Sequence, residues 1–458
     1  MRKIGGMLMV DSGRRSAIAK VGPWLASALL AFALPIAADG IAAPRAPFIL
    51  IVVDTLRADH LHSHGATRAT SPNVDRLASE AVHFKRAYSQ APWTTASFAS
   101  LLTSQFPAAL GITDIASPLP SHVEVLPSFL RRNGYVTAGV VSHTFISRKW
   151  GFARGFDHFD ESNIADNHGV STVGVSNLGI AKIDALKGQP FFLLLHYFDP
   201  HFPYLEHEGF RFPSEDPGYA GVVRSGVKIK ELRRAARTMS AADEREMRRI
   251  YDSEIAFTDH QIGRVLDHLR KLGLYDESLI ILTADHGEEF LDHGAVGHTR
   301  TVYNELLHVP LIIKPPNATA AVVETPVALV DAFPTAAALL GLELDLPAQG
   351  RDLFAARAEA VESPVFSETS RGASLRSVVL GDYKLIEDGV SGKVQLYDVV
   401  ADPKELEEVA ARHPEVVSRM RPMLSEWFER IQKRIPPPER VDVSDGEREH
   451  LRALGYVE

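Results

Sequence analysis

The chain has 458 residues, 45% of them hydrophobic, a formal net charge of −9 and no cysteine. That length and apolar fraction support a sizeable core, in one large domain or two unequal ones. The missing thiol excludes disulfides, thiolate metal sites and cysteine nucleophiles, and the interspersed charges provide no basic block for a nucleic-acid partner.

At the N-terminus, Arg14, Arg15 and Lys20 precede an apolar run from Val21 to Ala38, and small residues follow through Ala43. A charged start, an apolar middle and a small-residue end predict an export signal over residues 1–43. Pro23 and Pro35 interrupt the run, which falls short of the ~20 residues a span needs. The segment is therefore read as cleaved, with the mature chain starting between Ala38 and Pro47. The Arg14-Arg15 stretch resembles a twin-arginine leader. The protein is expected in the periplasm or outside the cell, and a membrane would be reached only through an uncleaved signal.

From Phe48 to Val53 the chain is continuously apolar, as in a strand buried on both faces. Asn73 to Lys85 has helical spacing, with Ser71 as its cap. Val136 to Val141 and Phe191 to Leu195 read as strands. Ala242 to Leu272 reads as a long helix stopped by Gly273, and Leu279 to Thr283 as another buried strand. Strands alternating with helices predict an α/β fold over residues 44–360, with a doubly wound, mostly parallel sheet flanked by helices. Past 361 the pattern shortens. Leu375 to Leu380, Tyr383 to Ile386 and Val394 to Tyr397 read as strands joined by turns, and Pro414 to Ile431 as a helix. Residues 361–458 are thus expected to form a smaller antiparallel sheet with a C-terminal helix and a charged tail.

Ligands of open α/β sheets bind beyond the carboxyl ends of strands. Asp54 follows one such end, and Asp285 with His286 follows another. Either aspartate alone reads as a helix cap, but two with an adjacent imidazole make a divalent-metal set. Between them in the chain, the hydroxyl-rich Ala91-Pro92-Trp93-Thr94-Thr95-Ala96-Ser97 leads into an apolar helix. A helix start favours an anion, and Thr94, Thr95 or Ser97 is a candidate nucleophile.

These segments, with Phe198-Asp199-Pro200-His201-Phe202-Pro203-Tyr204, Thr283-Ala284-Asp285-His286-Gly287-Glu288, Gly297-His298, Asp331-Ala332-Phe333-Pro334-Thr335 and Gly350-Arg351-Asp352-Leu353, resemble the ordered motifs of the sulfatase family, in the alkaline phosphatase superfamily. Family sulfatases use a formylglycine made from Cys or Ser in a C/S-x-P/A-x-R motif. Here Thr94 holds the nucleophile position and Phe98 replaces the arginine, so no formylglycine can form. Thr55 stands where many sulfatases have a second metal-binding Asp. Threonine at the nucleophile position is found in other branches of the superfamily.

The resemblance implies a metal-dependent hydrolase of sulfate or phosphate esters. Asp54, Asp285, His286 and Thr94 would hold one divalent ion: calcium by the resemblance, manganese or zinc given the threonine and the imidazole. Thr94 would attack, His201 or His298 would protonate the leaving alcohol, and Arg57 and Arg300 would bind nonbridging oxygens. His143, beyond the strand ending at Val141, is a further candidate that reads more simply as a satisfied loop histidine. The substrate would be a small-molecule, glycan or lipid ester. Transfer of a phosphoryl-linked head group, or binding without catalysis, are the alternatives.

Overall fold

A computed structural model of the protein describes residues 45–164, 171–359, 362–432, 439–453 and 456. The expected export segment, the expected boundary at 360/361 and Pro436-Pro437-Pro438 lie outside these residues. Among the described residues no helix is long and apolar enough to cross a membrane.

The larger sheet is built from β1 (Phe48–Val53), β2 (Val82–Tyr88), β3 (Val136–Val140), β4 (His158–Asp160), β5 (Phe191–Tyr197) and β6 (Leu279–Ala284). After a two-stranded ribbon, β7 (Glu289–Phe290) with β8 (Val296–Gly297), come β9 (His308–Lys314), β10 (Ala321–Val323) and β11 (Val327–Ala328). The spatial order is β10-β2-β9-β6-β1-β5-β3-β4, with β11 also on β2. Strand β9 alone on this path runs against its neighbours β2 and β6. The sheet is thus mostly parallel, as expected. Every residue of β1 is at most 1% exposed. Burial on both faces is what a continuous apolar run dictates, and each such large side chain stabilises the fold by about 1.5–3 kcal/mol.

Strand register positions the site. Val53 of β1 pairs with Ala284 of β6 on one side and Tyr197 of β5 on the other. The residues that follow, Asp54, Asp285 and Phe198, therefore leave the sheet side by side at its carboxyl edge. The helix Thr94–Thr103 is buried along its whole length, so its first residue is held by packing on all sides.

A second, four-stranded antiparallel sheet, β12 (Val365–Thr369), β13 (Leu375–Leu380), β14 (Tyr383–Asp388) and β15 (Val394–Asp398), carries the helix Pro414–Gln432. Trp427 of that helix stacks on Phe366 of β12, with centroids 4.8 Å apart, and both belong to a separate core.

Three local expectations change. The helix expected to run to Lys85 ends at Ser79, and Val82–Tyr88 is a strand. Its alternating residues pair with β9 at full register from Val82 to Phe84, and that ladder outweighs continuation of the helix. Ser71 occupies the position before the helix, but its hydroxyl does not cap it. The N–H groups of Asn73 and Val74 are capped instead by Asp259, from the long helix Ala241–Lys271. The charged tail contains a further helix, Asp445–Ala453. Val443, Leu451 and Tyr456 are buried in the main core rather than in that of the smaller sheet.

Candidate active site

Asp54, Asp285 and His286 each present one ligand atom within 4.8 Å of the others, and all three are fully buried. The His286 Nδ1–H donates to the Gly287 carbonyl at 2.9 Å. This leaves the Nε2 lone pair facing inward, 3.5 Å from Asp285 Oδ2, 3.8 Å from Asp54 Oδ1 and 3.3 Å from Thr94 Oγ1. Asp285 Oδ1 accepts the N–H groups of His286 and Thr55. Both oxygens of Asp54 and Oδ2 of Asp285 have no hydrogen-bond partner among the described residues. Burial pushes both carboxyls above their usual range, and for Asp54 the charges of Asp285 and Glu288 add to the effect. Buried unpaired carboxylates are costly unless a cation joins them. Two hard oxygens and an imidazole are a donor set that a divalent ion fits.

The backbone around this set is constrained. Thr55 adopts φ 55, a left-handed conformation unfavourable by about 1–2 kcal/mol for a residue with a Cβ. It is held there by the Tyr251 hydroxyl, which donates to the Thr55 carbonyl at 2.6 Å, while the Thr55 hydroxyl turns back onto the Asp54 carbonyl. The Thr55 side chain is thus directed away from the carboxylates. Gly287 is required by a close approach, since a Cβ there would lie 2.0 Å from the Glu305 carbonyl oxygen.

Thr94 Oγ1 lies 2.9 Å from the hydroxyl of Tyr456, which in turn is 3.1 Å from His201 Nε2 and 3.3 Å from His143 Nε2. His298 completes this group. Its ring centroid is 4.6 Å from His286 and 5.1 Å from both His201 and Tyr456, and its Nδ1 meets Glu288 Oε1 at 2.9 Å. Burial pushes the His201 imidazole down to about 3 and lowers His143 and His298 well below the usual range. The neighbouring imidazoles push the same way, since each disfavours a second positive charge. Burial also raises the Tyr456 phenol, so it stays protonated.

The structure therefore brings together Asp54, Thr94, Asp285, His286, His201 and His298. Arg57 is engaged elsewhere. Arg57 sits in a pair of forks, donating to both oxygens of Asp59, both of Asp292 and the Glu288 carbonyl. Its five N–H donors are consumed, so the expected grip on substrate oxygens is withdrawn, and Arg57 braces the turn that carries His286. Arg300 lies exposed at the rim of a cleft of about 280 Å³ whose wall includes His298 and Arg233.

Four residues were missed or undervalued by the sequence reading. His196, fully buried on β5, places Nε2 3.6 Å from Asp54 Oδ2. Its signal is an imidazole directly after the apolar Phe191-Phe192-Leu193-Leu194-Leu195 run, still within the buried strand. Glu288 orients His298. His143, read as a loop histidine, reaches the site through Tyr456. Tyr456 itself had no local signal.

The sequence model of the sulfatase family matches residues 47–342. The chain belongs to the sulfatase family. Human iduronate 2-sulfatase is 27% identical over 381 residues, covering 65% of this chain and 69% of that protein. The choline-sulfatase of Rhizobium meliloti is 24% identical over 420 residues, covering 79% and 82%. Among solved structures, the phosphonate monoester hydrolase of Silicibacter pomeroyi superposes with a TM-score of 0.70 at 22% identity, covering 86% of this chain and 96% of that one. The family's two-sheet fold is the one described above, and its members are ester hydrolases.

Proposed function

We propose that this family member hydrolyses phosphate esters in preference to sulfate esters, with Thr94 as nucleophile. The observation that supports this most directly is the set of unpartnered carboxylate oxygens of Asp54 and Asp285, facing His286 Nε2 and the Thr94 hydroxyl. Asp54, Asp285, His286 and Thr94 would hold one divalent cation. Manganese or zinc suits the imidazole and hydroxyl better than calcium, the ion implied by the family resemblance. Such an ion, when bound, favours the ionised hydroxyl and offsets charge on the transferring group.

The chain's own residues do the rest. Packing of the buried helix fixes Thr94 Oγ1 for in-line attack on phosphorus or sulfur. His201 donates its Nδ1–H to the Phe202 carbonyl, and His298 meets Glu288 through Nδ1. Both therefore present an unprotonated Nε2 inward, so each takes up a proton before returning one to the leaving alcohol. Arg300 and Arg233 line the cleft beyond His298 and give an anionic substrate an electrostatic approach. Water then releases the Thr94 adduct. Phosphothreonine allows that direct attack. A sulfothreonine would be a trap, because threonine lacks the geminal diol through which formylglycine enzymes eliminate sulfate. This is the basis of the substrate preference.

The test is a metal-supplemented screen of 4-nitrophenyl phosphate, bis(4-nitrophenyl) phosphate and 4-nitrophenyl sulfate. Faster turnover of a phosphate ester is expected, and a faster sulfate ester would overturn the preference. Thr94→Ala should lower turnover by about three powers of ten or more, while metal content falls only partly. A Thr94→Ala enzyme with wild-type turnover would remove the nucleophile. Metal content unchanged in Asp54→Ala/Asp285→Ala would remove the metal assignment. Export is inferred from residues 1–43 alone, and N-terminal sequencing of protein from the native host should find a start between Ala38 and Pro47.

A further inference from the structure

Tyr456 lies 362 positions from Thr94 in the chain, yet no other side-chain hydroxyl among the described residues is hydrogen-bonded to Oγ1. Its phenol sits among three hydrogen-bonding groups, Thr94 and two imidazoles, and the directions of the imidazoles follow from their other partners. His143 Nδ1 accepts the Phe145 N–H at 2.9 Å, so the hydrogen of that ring is on Nε2, facing Tyr456. His201 Nδ1 faces the Phe202 carbonyl at 2.7 Å, so its hydrogen is there and Nε2 is bare, again facing Tyr456. The phenol has one proton to give, and with His286 Nε2 engaged by a cation the Thr94 O–H turns to the phenol, which leaves His201 Nε2 as the phenol's acceptor. The phenol's lone pairs then receive the His143 N–H and the Thr94 O–H.

The tail that carries Tyr456 is built into the fold. Leu451 is 0% exposed and Val443 5%. Arg371 donates to the Tyr456 carbonyl, and the Tyr456 N–H donates to Leu451. The phenol ring packs edge-on against Phe145 at 4.7 Å and lies nearly parallel to His201, at an interplanar angle of 17°. Upstream, Val441 donates to the Ala116 carbonyl and Arg440 pairs with Asp114. His298, whose ring centroid is 5.1 Å from that of Tyr456, also lines a cleft of about 280 Å³.

We propose that Tyr456 is a catalytic residue, a proton relay from the Thr94 hydroxyl to His201, and that the C-terminal tail thereby completes the active site. This rests on Thr94 being the nucleophile. As the Thr94 Oγ1–phosphorus bond forms, the threonine proton passes to Tyr456 Oη and the phenol's own proton passes to His201 Nε2. The bond to the leaving oxygen breaks with its electron pair, and the alcoholate takes the proton that His201 has gained. No proton is created or lost, and Tyr456 ends as it began.

The test compares wild type, Tyr456→Phe, a chain ending at residue 455, and Thr94→Ala. The readouts are turnover of bis(4-nitrophenyl) phosphate, binding of orthovanadate by calorimetry, and the thermal unfolding midpoint. Tyr456→Phe keeps the ring and its packing, so the midpoint should fall only by what the lost buried hydrogen bonds contribute, and the protein should stay folded at the assay temperature. Its kcat should fall about a hundredfold or more with little change in KM. Vanadate, which mimics the transferring group in the transition state, should bind about tenfold more weakly, and this readout needs no turnover. The shortened chain should be as slow and should regain activity when p-cresol refills the vacated place. Wild-type kcat and vanadate affinity in Tyr456→Phe would overturn the relay. Faster turnover or tighter vanadate binding would also overturn it, and would make the tail a plug. Thr94→Ala separates the two readings. If it keeps turnover, the nucleophile assignment fails whatever Tyr456→Phe does. If it is dead while Tyr456→Phe is normal, the relay alone fails.

Discussion

The molecule buries charge in two places and resolves it in two ways. Where the second sheet meets the first, Lys384 Nζ lies 3.0 Å from Glu405 Oε1, with both side chains at 0% exposure. Lys384 also donates to Asn304 Oδ1, and the Asn304 N–H donates to Glu405 Oε2. Around Asp54 and Asp285 the burial is equally complete, but among the described residues no lysine or arginine is bonded to these carboxylates, and only the imidazoles of His196 and His286 stand beside them. One cluster closes its electrostatics internally, and the other leaves them open. Desolvation costs are similar in kind, so the difference marks the first cluster as structural and the second as a candidate metal site.

Breaking the closed cluster should have the largest effect on stability. Lys384→Met leaves Glu405 buried without its ammonium, and a loss of about 3–5 kcal/mol is expected in urea unfolding of the metal-loaded protein. Adding Glu405→Gln to Lys384→Met should restore most of it, because an amide needs no counter-charge. A neutral Lys384→Met would mean that the pair contributes nothing, and the contrast between the two clusters would collapse.

The open cluster should respond with the opposite sign. In protein stripped of metal, Asp54→Asn removes a charge that burial disfavours, and stability should rise by about 1–2 kcal/mol. Asp285→Asn should gain less, because its Oδ1 already accepts two backbone N–H groups. Both variants should lose the stabilisation that added metal gives the wild type. Thermal unfolding with and without chelator reads both effects. A chelated Asp54→Asn protein less stable than chelated wild type would show that the carboxylate has a partner inside the chain.

The same contrast explains what the sequence could show. Asp54, Asp285 and His286 were legible because each follows a continuous apolar strand, and position after a strand is a local property. Thr94 was legible as the start of an apolar helix. Arg57 was misjudged because Asp292, one of the two carboxylates that occupy it, lies 235 positions away. Strand β2 was hidden because Ala81 continues the apolar spacing of the helix before it, and only pairing with β9 separates them. His196 carried a readable signal, a titratable side chain in a strand buried on both faces. Tyr456 carried none. It follows a proline run and a charged helix, and only tertiary packing brings it back to the helix of Thr94. Local periodicity thus yielded the sheet and the carboxylates and imidazole at its strand ends, whereas the residues that satisfy or orient them come from distant segments.

A pH-dependent effect sharpens the contrast at the edge of the closed cluster. His293 Nδ1 lies 2.8 Å from Glu305 Oε1, its Nε2 faces the Glu405 carbonyl at 3.2 Å, and its ring stacks on Tyr303 at 3.6 Å. Burial alone would lower its imidazole, but the hydrogen bond and charge of Glu305 outweigh burial and raise it to about 9. The folded protein therefore holds a proton on His293 that the unfolded chain releases near pH 6.5. A raised folded value stabilises fully below about pH 6.5, and the contribution is lost as pH rises through about 9. The side chain is 15% exposed, so solvent screening trims the effect to roughly 1–2 kcal/mol. His293→Gln cannot carry the charge, so its deficit against wild type should be greatest at pH 6 and should shrink by pH 10. Urea unfolding of both proteins at those two pH values measures it. An equal deficit at both would mean that the ring contributes by packing on Tyr303 and not by charge.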